Sequence, residues 1–267
     1  MMPDPHLLDQ SEADYFAGPG VGSSTLRTLR ETTPAHCQYE LTHPRESDAL
    51  DIGKAFHCLL LEPDRFADTY TDDTGINRRT KAGKDQLDEL SFHGKTVLRA
   101  KDYDTVHEMA RAVHAHPTAR FFLDPANGPA ESSLYWTDPK SGVLCRCRPD
   151  KIDHGHRCIL DVKTTITANP RDWPRHAERY GYDAQAAMYS DGFEHVTGDR
   201  YPFIFLACEK TAPYLCTLIA LDDAWMDAGR RKYEHSLRIY AQCVQEQHWP
   251  GYPADIQTIE QPAWARR

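Results

Sequence analysis

CILDVKTT, residues 158–165, sets Asp161 and Lys163 two positions apart in a run that otherwise reads as a buried strand. Side chains alternate along a strand, so the acid and the ammonium share one face while Val162 packs into the opposite layer. Burying ionised groups is costly unless each finds a partner. On this fragment alone two readings stand: a salt bridge on a half-exposed strand, or two groups held for chemistry.

The neighbouring segments bear on that choice. CRCRPDKID, residues 145–153, ends a strand with Pro149 and Asp150, and proline marks a strand exit, where a side chain can project into a cleft. Turn signals at DPKSG and DHGH divide the region into three strands, 132–137, 143–149 and 158–164, which read as a hairpin meander. Such a hairpin brings Asp150 close to Asp161. Two carboxylates that close repel unless a cation lies between them, which points to a hard, oxygen-ligated divalent ion.

Helical patterns flank this sheet. Downstream, a helix runs from about Pro174 or Asp183 to Phe193, with Gln185 and Tyr189 at i, i+4 on one face. The strands YPFIFLACEK and PYLCTLIALD follow around a turn at TAP. A long helix from about Asp222 to Gln247 then offers Trp225, Tyr233, Leu237, Tyr240 and Val244 as its inner face.

Upstream, Ser23 or Ser24 reads as one N-cap, and Thr33 before Pro34 as another. Residues 46–61 read as a largely buried helix, with His57 inward among Leu50, Gly53 and Leu61. Residues 72–96 read as a mobile loop or weak helix whose Arg78, Arg79, Lys81 and Lys84 form either a solvated face or a basic arm on phosphate. Helix returns over 102–116, with Tyr103, Val106, Met109, Ala110 and Val113 on one stripe. The order of helices, three strands, helix, two strands and helix implies an α/β fold around a mixed sheet.

The net charge of −9 argues against a protein that coats nucleic acid. Residues 145–185 run the other way, with eight Lys/Arg against six Asp/Glu, so a cleft built there is mildly basic. The N-terminus lacks the basic and apolar regions of a signal peptide, and the longest apolar runs are too short to cross a bilayer. With eight cysteines, several inside apolar runs, a cytoplasmic protein with free thiols is expected. Cys145 and Cys147 share a strand face and Cys158 could approach them, but no CxxC pair supports a zinc or iron–sulfur site.

The segments GKAFHCLLLEPDRF, ESSLYWTD, CRCRPDKID, LDVKTT, YGYDAQAAMY and WPGYP, in that order, resemble the PD-(D/E)XK nuclease superfamily. The resemblance covers roughly residues 20–264 and is greatest to the phage and prophage branch similar to the C-terminal nuclease domain of exonuclease VIII. It implies a restriction-endonuclease-like core, a central mixed β-sheet flanked by helices, within one domain over residues 1–267. The N-terminal helical part would span about 20–116 and the catalytic core about 130–247.

The resemblance also implies roles. Asp150 and Asp161 match the two motif acids and would ligate metal, with Asp161 standing where many members carry Glu. Lys163 matches the motif lysine, which would orient the attacking water and stabilise charge at phosphate. His57 would complete the metal shell, Glu131 would be an additional catalytic acid, and the Val162 carbonyl would offer one more oxygen. Gln185 and Tyr189 would position substrate and lysine, while Ser24, Arg27, Arg146, Arg148, Thr164 and Thr165 would contact DNA. One or two Mg²⁺ or Mn²⁺ ions are implied. The implied activity is 5′ to 3′ exonuclease action on the ends of linear double-stranded DNA in phage-type recombination. A ring-shaped homo-oligomer working beside a single-strand annealing recombinase would carry it out. An endonuclease of the same superfamily, or a non-catalytic DNA-binding or assembly module of the same fold, is the alternative.

Overall fold

The computed structural model describes residues 6–43, 52–262 and 265. The 46–51 part of the early helix, with Leu50, lies outside the described residues. The chain opens with β1 (His6–Leu8) and three short helices, α1 (Glu12–Ala17), α2 (Ser23–Glu31) and α3 (Pro34–Thr42). Thr33 caps α3 as expected, its hydroxyl accepting the His36 N–H, with Pro34 in the first turn. Neither serine caps α2, because the helix starts at Ser23 with Gly22 in the cap position.

Next come α4 (Ile52–Leu61), α5 (Pro63–Thr69), β2 (Tyr70–Asp72), α6 (Lys81–Phe92), β3 (Thr96–Leu98), α7 (Ala100–Ala115) and α8 (Ala119–Phe122). Of the two readings of 72–96, mobile loop or weak helix, the helix holds over Lys81–Phe92, and with β2 and β3 it forms a regular unit rather than a loop. Thr80 caps α6 by accepting the Gly83 N–H at 3.1 Å, and β2 pairs with β3 in parallel. Arg78 joins the Asp73 carboxylate and the Val97 carbonyl, so it ties the connection to the small sheet rather than reaching for phosphate. Its strands are three residues long and its helix has few apolar positions, so the segment carries little periodicity.

Two sheets organise the remainder. The first has the order β1-β4-β5, with β4 (Ser133–Thr137) and β5 (Leu144–Cys147) antiparallel. The second has the order β6-β7-β8-β9, formed by β6 (Lys151–Asp153), β7 (Cys158–Thr165), β8 (Phe203–Glu209) and β9 (Cys216–Ala220). Its middle pair is parallel and its outer pairs antiparallel, so the sheet is mixed. The expected three-strand meander is therefore corrected: β5 ends before Pro149, which has no N–H for a ladder, and β6 is a separate short strand in another sheet. The register Lys151↔Leu160 and Ile152↔Ile159 still places Asp150 beside the middle of β7.

β7 divides two cores. Ile159, with Phe203, Phe205 and Ala207 of β8, packs in the layer of α10 (Tyr182–Thr197) and α11 (Asp223–Glu246). Leu160 and Val162, with Leu206 and Cys208, pack in the layer of α4 and α7. Val162 is 1% exposed, as the alternation predicts. On α11 the expected inner face holds at Tyr233 and Leu237, whereas Val244 is 42% exposed because the buried stripe of the last turn runs through Cys243 instead.

The predicted helix after β7 is two helices, α9 (Trp173–Tyr180) and α10, broken at Gly181 with φ +67°. A side chain there would also meet the Arg30 guanidinium, so glycine serves both the left-handed turn and the close approach of α2. Gly229 similarly lets α11 lie against the Asp183 backbone, where a Cβ would come within 2.1 Å of a carbonyl oxygen. That contact seats α10 over the exit of β7. No helix among the described residues is long and apolar enough to cross a membrane.

Candidate active site

A cleft of about 580 Å³ opens where β7 leaves the sheet, between α2, α4 and α10. His57, Glu131, Lys163, Gln185, Ser24 and Arg27 are among its walls. Asp150 and Asp161 lie deeper, 9% and 2% exposed.

Each acid is held by the backbone geometry around it. Asp150 follows Pro149 in the crossing between sheets, and its carboxylate accepts the Val162 N–H at 2.5 Å. Glu131 adopts φ +53°, a conformation non-glycine residues rarely take, and its N–H donates to the Asp150 carbonyl at 3.0 Å. That strained turn aims its carboxylate inward, where Arg148 Nε donates to it at 2.8 Å. On α4, His57 Nδ1 stands 3.5 Å from Asp150 Oδ2, and the Val162 backbone hydrogen-bonds the imidazole. Donor atoms of His57, Glu131 and Asp150 all fall within 4.8 Å of one another. Among the described residues this is the one group of three or more His, Cys, Asp or Glu side chains that converges so closely; the eight cysteines are free thiols and form no such group.

Asp161 stands next to this triad but is engaged differently. Gln185 Nε2 donates to its Oδ1 at 2.8 Å, and Lys163 Nζ lies 2.5 Å from its Oδ2. The local salt bridge is thus present, inside the cleft rather than on an outer surface. Lys163 also sits over the Tyr182 ring, 5.1 Å from its centre.

The electrostatics follow from crowding. Burial, then the nearby Asp161, pushes the Asp150 carboxyl well above the usual range. Burial and Asp150 raise Glu131 to about 7 against the pull of Arg148. Burial and the Lys163 charge lower His57, which favours the neutral, ligating imidazole. Burial alone would lower Lys163, but Asp161 and Asp150 outweigh it and hold the ammonium protonated. Two carboxylates that are costly to ionise, facing a neutral imidazole, form a donor set that a divalent cation would complete.

The remaining expected residues separate into those at the cleft and those elsewhere. Ser24, Arg27, Arg148, Val162, Thr164 and Tyr189 line it. Arg148 is only 9% exposed at its side chain and is committed to Glu131 and the Gln10 carbonyl, so it holds an acid rather than tracking DNA. Tyr189 is packed against Phe203 and bonded to Ser23, which makes it a core contact between α10 and α2 rather than a partner of the lysine. Arg146 is spent on the Tyr15 and Gly18 carbonyls and the Tyr15 ring, closing the end of α1, and does not itself line the cleft. Thr165 is buried and bonds the Thr167 carbonyl at 3.0 Å, shaping the strand exit.

Tyr182, which supports Lys163, was not singled out in the sequence. Its signal was available: it precedes Gln185 by three residues in YGYDAQ and so shares that helix face.

A mixed sheet with an acid at its entry, Asp-x-Lys on the adjacent strand and a helix closing over both defines the restriction-endonuclease-like fold of the PD-(D/E)XK class. Residues 22–262 match the family described as PDDEXK-like domain of unknown function, DUF3799, and the chain belongs to that family. Among solved structures, a presumed exonuclease from Eubacterium rectale has a similar fold, with a TM-score of 0.64 at 14% identity over 94% of this chain and 92% of that one. An alkaline exonuclease from Laribacter hongkongensis is more distant, with a TM-score of 0.28 at 15% identity over 73% of this chain and 97% of that one. No curated protein matches the sequence.

Proposed function

We propose that this protein is a metal-dependent deoxyribonuclease that hydrolyses phosphodiester bonds from the ends of linear double-stranded DNA. The observation that carries the reading is the convergence of His57, Glu131 and Asp150 beside the Asp161–Lys163 pair in one open cleft. His57, Glu131 and Asp150 would hold Mg²⁺ or Mn²⁺, with Asp161 adjacent for a second ion or a changed coordination. Bound there, the cation would supply Lewis-acid stabilisation of charge on the phosphodiester oxygens.

The chain's own residues would do the rest. Lys163, kept cationic by Asp161 and Asp150, donates to a phosphate oxygen and orients the attacking water. Gln185 fixes the Asp161 rotamer, and Tyr182 limits where the ammonium can swing. Thr164, Ser24 and Arg27, on the cleft walls, would meet flanking phosphates.

The exonuclease VIII-like motif order supports 5′ to 3′ polarity and a role in phage-type recombination, in a ring-shaped homo-oligomer beside a single-strand annealing recombinase. Eight free thiols accord with a reducing cytoplasm. The test is digestion of a duplex labelled at one 5′ end, beside the same DNA as a closed circle, with Mg²⁺ or Mn²⁺. Loss of label from linear DNA with the circle intact is expected. Untouched linear DNA would sink the nuclease reading, and cutting of the circle would favour an endonuclease.

A further inference from the structure

α9 carries charge that the proposed hydrolysis does not use. Its apolar side, Trp173 and Ala177, is buried, while Arg175 and Arg179 stand exposed one helical turn apart. Neither forms an ion pair among the described residues. The acid beside them, Glu178, is taken by Lys232 at 2.8 Å, and the half-buried Asp172 precedes the helix. Two uncompensated guanidinium groups on one turn are a strong local feature in a chain of net charge −9.

Their position adjoins the cleft. The Arg179 guanidinium lies over the Tyr180 ring, 5.5 Å from its centre, and Tyr180 is 39% exposed and lines the cleft. From the opposite wall Arg27 donates to the Tyr180 carbonyl at 3.3 Å, which fixes this rim to α2. Guanidinium groups beside a partly exposed aromatic ring suit a single nucleic-acid strand: charge for its phosphates and an aromatic surface for an unstacked base. An intact duplex keeps its bases stacked and has none to offer the ring.

We propose that Arg175, Arg179 and Tyr180 form a track for a single DNA strand at the mouth of the cleft, the arginines on its phosphodiester backbone and the tyrosine under a base. This deepens the nuclease reading by naming where one strand is held once separated from its complement, and it rests on DNA being the substrate of the cleft.

The test is fluorescence anisotropy of a labelled oligothymidylate with the full chain in EDTA, across a range of salt concentrations. The Arg175→Gln/Arg179→Gln variant should lower the slope of log K against log salt by about 1.4, since each phosphate contact on a single strand contributes roughly 0.7. Tyr180→Ala should weaken binding roughly 5- to 100-fold with the slope unchanged, and Tyr180→Phe should retain it. An unchanged slope in the double variant, or losses seen only with duplex, would overturn the track. Digestion of linear duplex with Mn²⁺ is run in parallel. Wild-type protein that binds with the expected slope but does not cleave keeps the track and sinks the nuclease reading, whereas cleavage with an unchanged slope in the double variant sinks the track alone.

Discussion

The Asp150 carboxylate accepts the backbone N–H of Val162, the residue between Asp161 and Lys163, at 2.5 Å. One side chain therefore links the first acid of the site to the strand that carries the other two charged groups. Asp150→Asn can keep that bond through its carbonyl oxygen but loses the anionic ligand. Asp150→Ala loses both and leaves a buried N–H unpaired, which costs about 1–3 kcal/mol. Both variants should lose Mn²⁺ affinity by calorimetry, and only the alanine variant should unfold at clearly lower urea. Unchanged Mn²⁺ affinity in Asp150→Asn would remove Asp150 from the ligand set.

Gln185 donates to Asp161 Oδ1 at 2.8 Å, so under the proposed function it would orient that carboxylate. Groups that orient a catalytic or ligating carboxylate typically matter about 10–100-fold when removed. Gln185→Ala should therefore slow DNA hydrolysis by about that factor with KM little changed, while Asp161→Ala and Lys163→Ala abolish it with the fold intact. A rise in KM alone would place Gln185 on the substrate instead.

Glu131 predicts a pH effect with a definite sign. Its folded value is raised from 4.5 to about 7, so between those limits the folded chain binds more protons than the unfolded chain. The stability Glu131 contributes then falls as pH rises through that window. Glu131→Gln does not titrate, so in chelator the variant should gain on wild type from pH 5 to pH 8, by the order of 1–3 kcal/mol, read as a widening Tm difference. Adding Mn²⁺ at pH 8 should close or reverse the gap, because only wild type gains the ligand. A gap that stays constant with pH would show that Glu131 is not held in this environment.

Arg146 gives a prediction opposite to the one its sequence context suggests. Its guanidinium serves the Tyr15 and Gly18 carbonyls and not the cleft. Arg146→Ala should lower the Tm by several degrees, since two part-buried carbonyls lose a charged donor, yet leave DNA affinity at low temperature unchanged. A weaker salt dependence of DNA binding in this variant would return Arg146 to the phosphate contacts.

What the sequence determined by itself was the local periodicity and the chemistry attached to it. Alternation along CILDVKTT put Asp161 and Lys163 on one face and Val162 in the opposite core, and i, i+4 spacing put Gln185 on the helix face turned toward them. Thr33 and Asp222 marked helix starts because capping is a contact between near neighbours in the chain. Within 72–96 only the strands are illegible, because three residues carry too little pattern, and the meander reading fails because the chain passes from one sheet to another at Pro149.

Only the tertiary structure decided which groups meet. His57, Glu131 and Asp150 lie on α4, a strained turn and an inter-sheet crossing, and no spacing along the chain states that their donor atoms fall within 4.8 Å. The same holds for the arginines: Arg27, Arg146 and Arg148 look alike in sequence, yet Arg27 lines the cleft beside Tyr180, Arg146 closes a helix, and Arg148, also at the cleft, is paired with an acid. A guanidinium's role depends on which carbonyls and carboxylates surround it after packing, and for Arg146 and Arg148 those partners include segments more than a hundred residues away.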